Sequence, residues 1–165
     1  MPAHAAMTPE QYLEIERAAE IRHCKVMGQD LRTSVAHAGL YTYPDLLVIC
    51  GDSKFADSKP DTITNPVLIV ELVSPTTEAY DRGFKFAQYR RIESLEEYVV
   101  VSQAEPRVEV LLRQPSGQWL LSDFAGLDGV ALFQSVNCSV PLSEIYLDIT
   151  FDDLAKSVFS GRPAE

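Results

Sequence analysis

Two strongly apolar segments, separated by a polar one, constrain this chain most. Asp45 to Cys50 and Val67 to Val73 are rich in aliphatic residues, while Gly51 to Asn65 between them carries Gly, Pro, Asp and Ser. Short apolar runs bounded by turn-forming residues are typical of strands buried in the middle of a sheet. They are also far shorter than the ~18 residues that a membrane span requires. The sequence therefore predicts a globular domain built on a central sheet, with no membrane partner.

The elements around these strands predict helices that flank a mixed sheet. Thr8-Pro9-Glu10-Gln11 has the form of a capping box, which predicts a helix over 8–23. Apolar residues at helical spacing predict a second helix from Glu78 to Ile92, with Gly83 as a weak point. We expect one α/β (α+β) domain over 1–165. Further strands are predicted at Leu31 to Val35, Tyr98 to Gln103, and in a hairpin of Arg107 to Arg113 with Gln118 to Phe124, followed by a helical turn at Pro141 to Tyr146 and a C-terminal helix and tail over 151–165.

Composition and charge restrict the function classes. The chain has 14 basic and 24 acidic residues, a net charge of -10, so any nucleic-acid contact must use a local basic patch. Its three cysteines, Cys24, Cys50 and Cys138, are odd in number and lack CxxC spacing. This argues against a disulfide framework and a zinc ribbon, and it favours a reducing cytoplasm. Phosphate-loop, dinucleotide-binding and nucleophile-elbow motifs do not occur in the sequence.

Each apolar strand carries a carboxylate. Asp45 opens the first strand, and Glu71 lies within the second, where the two-residue period gives it the same face as Ile69 and Val73. An ionised glutamate in such a run is costly to bury unless a cation or hydrogen bonds compensate it. An ion pair would satisfy that requirement. Two carboxylates on adjacent strands can also hold a divalent cation and leave positions for water and a substrate phosphate.

The following helix supplies the candidate cations. Lys85 lies just past Glu71 in the chain and, at a spacing of four residues, shares a helix face with Asp81 and Tyr89. It is a candidate for orienting a water molecule, and the alternative is an ordinary surface pair with Asp81. DNA approach would involve the neighbouring arginines, whose alternative use is a solvated helix face. These arginines are Arg82, Arg90 and Arg91.

Three segments in this order resemble the Uma2 family, formerly DUF820. They are Tyr41-Thr42-Tyr43-Pro44-Asp45, then Ile69 to Thr77, then Asp81 to Arg90. The resemblance is dense over 24–146, which we take as the core, and it also covers the opening helix. It implies a restriction-endonuclease-like fold of the PD-(D/E)xK type, found widely in bacteria and especially in cyanobacteria.

The resemblance also implies a nuclease site that depends on Mg2+ or Mn2+. Asp45 and Glu71 match the metal-binding acids. Val73 replaces the usual lysine two positions after the second acid, and the lysine role is transferred to the position of Lys85. Gln103 and Tyr89 are lesser candidates for lining the site.

The chain departs from the family pattern in its N-terminal part. Family members place a strand and a long helix between the opening helix and the strand that begins near Cys24, and both are missing here. We therefore expect an uncovered apolar face and a homodimer. Glu16 and Glu20 on the opening helix are alternative candidates for a further acid. Two functions follow: a metal-dependent endonuclease that acts on DNA, or a catalytically impaired relative that serves as a binding or assembly module.

Overall fold

A computed structural model describes residues 23–35 and 39–151 of this chain. The predicted opening helix, with Glu16 and Glu20, and the predicted C-terminal helix lie outside these residues except at their ends. In the described part, no helix combines the length and the apolar character needed to cross a bilayer.

Eleven strands and a few short helical segments make up the described residues. The helical segments on the sheet face are α1 (Glu78–Tyr80), a π-helical turn (Asp81–Lys85) and α2 (Phe86–Tyr89), which follow one another and are together called the 78–89 helix. Gln134–Val136 forms a 3-10 turn, and Leu142–Ile145 forms α3. The strands are β1 (Cys24–Met27), β2 (Arg32–Val35), β3 (Leu40–Thr42), β4 (Leu46–Cys50), β5 (Thr62–Ile63), β6 (Leu68–Val73), β7 (Glu97–Ser102), β8 (Arg107–Arg113), β9 (Trp119–Ala125), β10 (Val130–Phe133) and β11 (Cys138–Pro141).

The central sheet has six strands in the order β1-β4-β6-β7-β8-β9. Its β6 and β7 strands run parallel, and the other neighbouring pairs are antiparallel. A second sheet has the order β3-β2-β5, and β10 pairs with β11. The mixed sheet with short helices confirms the predicted α+β class, and the hairpin of β8 with β9 forms as predicted.

Both faces of the central strands are buried, which explains their nearly continuous apolar sequences. On one face, Ile69 and Tyr98 pack with Leu47, and Tyr89 of the 78–89 helix joins the same cluster. On the other face, Leu68 and the residues that alternate with the first set pack against α3 and β10. The 78–89 helix thus covers the face toward which Glu71 points.

The cysteines differ from the expectation. Cys24 and Cys50 form a disulfide, and Cys138 is free and exposed. The two bridged residues lie opposite each other in the antiparallel register of β1 with β4, although 26 residues separate them in sequence. When strand register brings two cysteines together, their spacing in the sequence does not indicate the bridge. The sequence argument against disulfides was therefore wrong for this pair. Location in the cytoplasm stays a prediction.

Candidate active site

Asp45 and Glu71 lie on the same face of the central sheet. In the register of β4 with β6, Leu46 lies opposite Val70, so the next position outward sets Asp45 opposite Glu71. Period-two alternation gives Asp45 the face of Leu47, a member of the cluster that Glu71 borders. Side chains directly opposite one another on a shared face have Cβ atoms about 5 Å apart. The predicted pairing of the two acids on one face is consistent with this register.

The backbone of β6 holds the Asp45 carboxylate. Its Oδ2 accepts a 2.8 Å hydrogen bond from the Leu72 N–H, and its Oδ1 accepts one of 3.3 Å from Nε2 of Gln29. Since each carboxylate oxygen has two lone pairs, one acceptor position on each oxygen stays available. Asp45 is thus fixed beside Glu71 with capacity for a further ligand.

Glu71 is the most deeply buried acid of this site, with 2% of its surface exposed. Its Oε1 accepts a 2.9 Å hydrogen bond from the hydroxyl of Tyr89, which also bonds Oγ1 of Thr42. Its Oε2 lies 3.1 Å from Nζ of Lys85. Burial raises the pKa of Glu71 to about 7, and the charge of Asp45 adds to this, while Lys85 and Tyr89 oppose it. The carboxyl group is therefore poised to change charge near neutral pH.

Lys85 bridges two buried carboxylates. Its Nζ lies 3.1 Å from Glu71 and 2.9 Å from Oδ1 of Asp81, which is itself 3% exposed. Burial lowers the pKa of Lys85, but the hydrogen bond to Asp81 and the charge of Glu71 outweigh it and raise the pKa overall. The i,i+4 pair with Asp81, one of the two alternatives from the sequence, thus forms together with a contact to Glu71.

A π-helical turn places this lysine. The turn spans Asp81–Lys85 and includes Gly83, the weak point of the predicted helix. The hydroxyl of Tyr98 donates a 2.9 Å hydrogen bond to the Asp81 carbonyl and holds the turn against β7. Single π-helical turns are rare and occur frequently at functional sites.

The remaining candidates are placed less directly. Tyr89 contacts Glu71, whereas Gln103 has an exposed side chain and reaches β6 through its backbone N–H, 2.9 Å from the Val73 carbonyl. Arg82 forms ion pairs with Glu78 and Glu109, which restrict its freedom to meet a ligand. The other two predicted DNA-binding residues, Arg90 and Arg91, are exposed at the end of the 78–89 helix.

Sequence reasoning missed two members of the site. Thr42 belongs to the motif that ends at Asp45, and its link to Tyr89 depends on β3, which the sequence pattern does not predict. Asp81 was treated as a surface partner, yet it is buried beside Lys85. A charged residue at i,i+4 from Lys85 was visible in the sequence, but its burial depends on the packing of Tyr98 against the helix.

The donor set fits a hard cation in part. Asp45 and Glu71 supply carboxylate oxygens, which are the ligands that Mg2+ prefers, and Mg2+ is commonly held by one or two carboxylates with waters and substrate phosphates. Across residues 23–35 and 39–151, no group of three or more His, Cys, Asp or Glu side chains could hold a metal ion. Such a cation would therefore depend on these two acids for its protein ligands in that part of the chain.

A family model matches most of the chain. The model is Uma2, described as "Putative restriction endonuclease", and it matches residues 2–143.

Two relatives come from Synechocystis sp. The uncharacterized protein sll1609 is 36% identical over 105 residues, which are 64% of this chain and 59% of the relative. The uncharacterized protein slr1290 is 32% identical over 128 residues, which are 78% of this chain and 66% of the relative. The matched part of this chain thus spans about three-fifths to two-thirds of the length of these relatives.

A solved structure has the same fold. It is the crystal structure of "a putative nuclease belonging to DUF820" from Anabaena variabilis, with a TM-score of 0.58 and 16% identity. The alignment covers 93% of this chain and 84% of that one. At this identity the likeness shows the fold, which is of the restriction-endonuclease-like type, as predicted.

Proposed function

We propose that this chain, which belongs to the Uma2 family, is a nuclease that hydrolyses DNA phosphodiester bonds. In this proposal Asp45 and Glu71 hold the Mg2+ or Mn2+ ion on which the reaction depends. The observation that carries the proposal is the buried carboxylate of Glu71 beside Asp45, with the ammonium of Lys85 3.1 Å away. An acid pair and a lysine on one face of a sheet supply the groups that phosphodiester hydrolysis needs.

The protein's own groups divide the work. Asp45 is held by the Leu72 N–H, and Glu71 by the Tyr89 hydroxyl, so both carboxylates are oriented before a ligand arrives. A bound Mg2+ would supply charge to stabilise the phosphoryl oxygens and would lower the pKa of a bound water. Lys85 offers an ammonium that can orient the attacking water and offset the negative charge that develops on the phosphate. Asp81 keeps that ammonium charged and in place.

DNA would approach along the end of the 78–89 helix. Arg90 and Arg91 are exposed there, and their side chains have no ion-pair partner among the described residues. Free guanidinium groups suit phosphate oxygens. Because the chain as a whole carries a charge of -10, such contacts must be local.

Supercoiled plasmid incubated with Mg2+ or Mn2+ tests the activity. We expect nicked and linear products, and we expect Asp45→Asn or Glu71→Gln to abolish them. Asp128→Asn is the matched control, because Asp128 is exposed and belongs to a different part of the fold. Thermal melting of each variant shows whether lost activity reflects lost folding. The proposal fails if wild-type protein leaves the plasmid intact, or if Asp45→Asn nicks it as fast as wild type.

A binding or assembly module without nuclease activity is the second candidate. One observation favours it: the Lys85 ammonium already compensates both Glu71 and Asp81, so the buried acids are satisfied without a metal ion. Calorimetric titration with Mg2+ distinguishes the candidates. A functional metal site releases or absorbs heat that vanishes in Asp45→Asn, whereas a module of this kind gives no response even at millimolar Mg2+.

A further inference from the structure

A cleft lies beyond the carboxyl end of the 78–89 helix. It has a volume of about 240 Å³ and is bounded by the loop around Lys54, the segment after β5, and the turn that begins at Arg91. Ser34, Thr64 and Ser94 also line it. None of these residues belongs to the acid site around Glu71.

The first wall holds Lys54 on a rigid backbone. The Lys54 N–H donates a 2.8 Å hydrogen bond to Oδ1 of Asn65, whose Nδ2 donates one of 2.9 Å to the Asp52 carbonyl. The Lys54 carbonyl accepts from both the N–H and the hydroxyl of Thr64, at 2.9 and 3.2 Å. The backbone on both sides of Lys54 is thus fixed, so this backbone loses little conformational entropy when a ligand binds.

The second wall is braced by Arg113. Its guanidinium donates hydrogen bonds to three backbone carbonyls on either side of Arg91, namely those of Arg90 at 2.6 Å, Ile92 at 2.9 Å and Glu93 at 3.4 Å. The Ser94 hydroxyl donates a 2.8 Å bond to the Pro66 carbonyl and fastens the end of the turn. The turn that presents Arg91 is therefore as firmly held as the loop opposite.

Each wall presents one cation with no neutralising partner. Within the described residues, neither the Lys54 ammonium nor the Arg91 guanidinium lies in an ion pair. Glu93 also lines the cleft and forms no ion pair with either cation. Two positive groups against one negative group leave the cleft with a net positive charge, in a chain whose total charge is -10. The Thr64 and Ser94 hydroxyls already donate to carbonyls, so the two cations are the groups of this cleft that suit a phosphate.

We propose that this cleft binds a backbone phosphate of DNA whose scissile phosphate lies at the acid site. The inference rests on the proposed nuclease function. The cleft and Glu71 are on the same side of the central sheet, since Ile92 of the cleft packs in the cluster that Glu71 borders. Asn65 of the cleft lies three residues before the start of β6, and Glu71 lies three residues beyond Leu68 on that strand, a rise of roughly 10 Å at about 3.3 Å per residue. A duplex that crosses this face can therefore reach both places.

Fluorescence anisotropy with a labelled DNA duplex tests the cleft, in a Glu71→Gln background that leaves the DNA intact. We expect Lys54→Ala and Arg91→Ala each to weaken binding several-fold and to reduce the slope of log affinity against log salt by about one. Lys59→Ala is the matched control, because Lys59 is an exposed lysine of the same loop region but does not line the cleft. Glu93→Gln should strengthen binding, because it removes the opposing charge.

Several outcomes would overturn the inference. It is wrong if Lys54→Ala and Arg91→Ala bind DNA as Lys59→Ala does, or if Glu93→Gln has no effect. If the wild-type protein nicks plasmid but the variants give one of these two results, the nuclease proposal stands and the cleft proposal is wrong. Absence of both nicking and DNA binding would overturn both. Competition by inorganic phosphate identifies the source of the ligand. If the protein binds phosphate but the cleft variants do not change DNA affinity, the cleft binds a free anion and the DNA proposal is wrong.

Discussion

The hydroxyl of Tyr89 donates a 2.9 Å hydrogen bond to Oε1 of Glu71, and Tyr89 is wholly excluded from solvent. The same hydroxyl bonds Thr42 of the second sheet. One phenol therefore joins the 78–89 helix, the central sheet and the β3-β2-β5 sheet at the point where the buried acid lies. Positioning of the acid and cohesion of the fold depend on the same contact.

Removal of this hydroxyl is expected to destabilise the protein. Tyr89→Phe keeps the ring in the core but leaves Glu71 and Thr42 without a shared partner, which costs about 1–3 kcal/mol when a buried group loses its hydrogen bond. Urea unfolding measures the change. Tyr80→Phe is the control, because Tyr80 is 53% exposed and should lose almost nothing. Equal stability of Tyr89→Phe and wild type would show that the bond contributes no net free energy.

The raised pKa of Glu71 makes stability depend on pH. Its value of about 7 in the folded protein exceeds the ordinary value of 4.5, so between these values the folded state retains a proton that the unfolded chain has released. The free energy of unfolding therefore falls as pH rises from 4.5 to about 7, by at most roughly 3.5 kcal/mol at about 1.4 kcal/mol per pKa unit.

Urea unfolding of the metal-free protein at a series of pH values checks this dependence. Glu71→Gln should flatten the profile, and Glu144→Gln, at an exposed acid, should not. Burial also raises the pKa of Glu97, so a smaller slope of the same sign should remain in Glu71→Gln. A profile in Glu71→Gln that matches wild type would contradict the assignment of the raised pKa to this residue.

Strand sequences predicted the central sheet well because their signal is local. The apolar runs around Leu47 and Ile69 require burial on both faces wherever they pair, and the face of Glu71 follows from a period of two. Local patterns make Lys85 a candidate for the site with a surface pair to Asp81 as the alternative, and the resemblance to the family favours the site. The contact of Lys85 with Glu71 depends on a π-helical turn, and no spacing in the sequence distinguishes such a turn from an α-helical one.

Features that depend on distant pairing escaped prediction. β10 and β11 are short and partly exposed, so their sequences lack clear alternation. Glu97 is fully buried at the start of β7, where its oxygens accept hydrogen bonds from the Gln134 N–H at 2.7 Å and the Ser135 hydroxyl at 2.6 Å. These partners lie almost 40 residues away, and nothing near Glu97 in the sequence indicates them. Long-range contacts of this kind are decided by packing, not by local propensity.

Reduction of the Cys24–Cys50 bridge is expected to lower thermal stability. The bridge closes a loop of 26 residues, and cross-links of this length stabilise a fold by about 3 kcal/mol through the entropy of the unfolded chain. Calorimetry with and without a reducing agent measures the shift in Tm. Cys24→Ser should have a lowered Tm that no longer responds to reductant, whereas Cys138→Ser should behave as wild type. An unchanged Tm of wild type on reduction would contradict a stabilising role for the bridge.

The outer strand β9 is expected to pair with a second copy of the chain and form a homodimer. It ends the order of the central sheet among residues 23–35 and 39–151, where one of its edges has no strand partner, and Leu120 and Leu121 on it are each 53% exposed. A long apolar edge is a ready template for pairing, and two copies can meet there about a two-fold axis, with the same residues used by both. Light scattering should report twice the mass of one chain.

Leu121→Lys should give the mass of one chain, because a lysine on an edge strand disfavours further pairing. Leu132→Lys is the control, since Leu132 is 48% exposed but belongs to β10 of another sheet. A single-chain mass for the wild-type protein would show that β9 stays unpaired in solution.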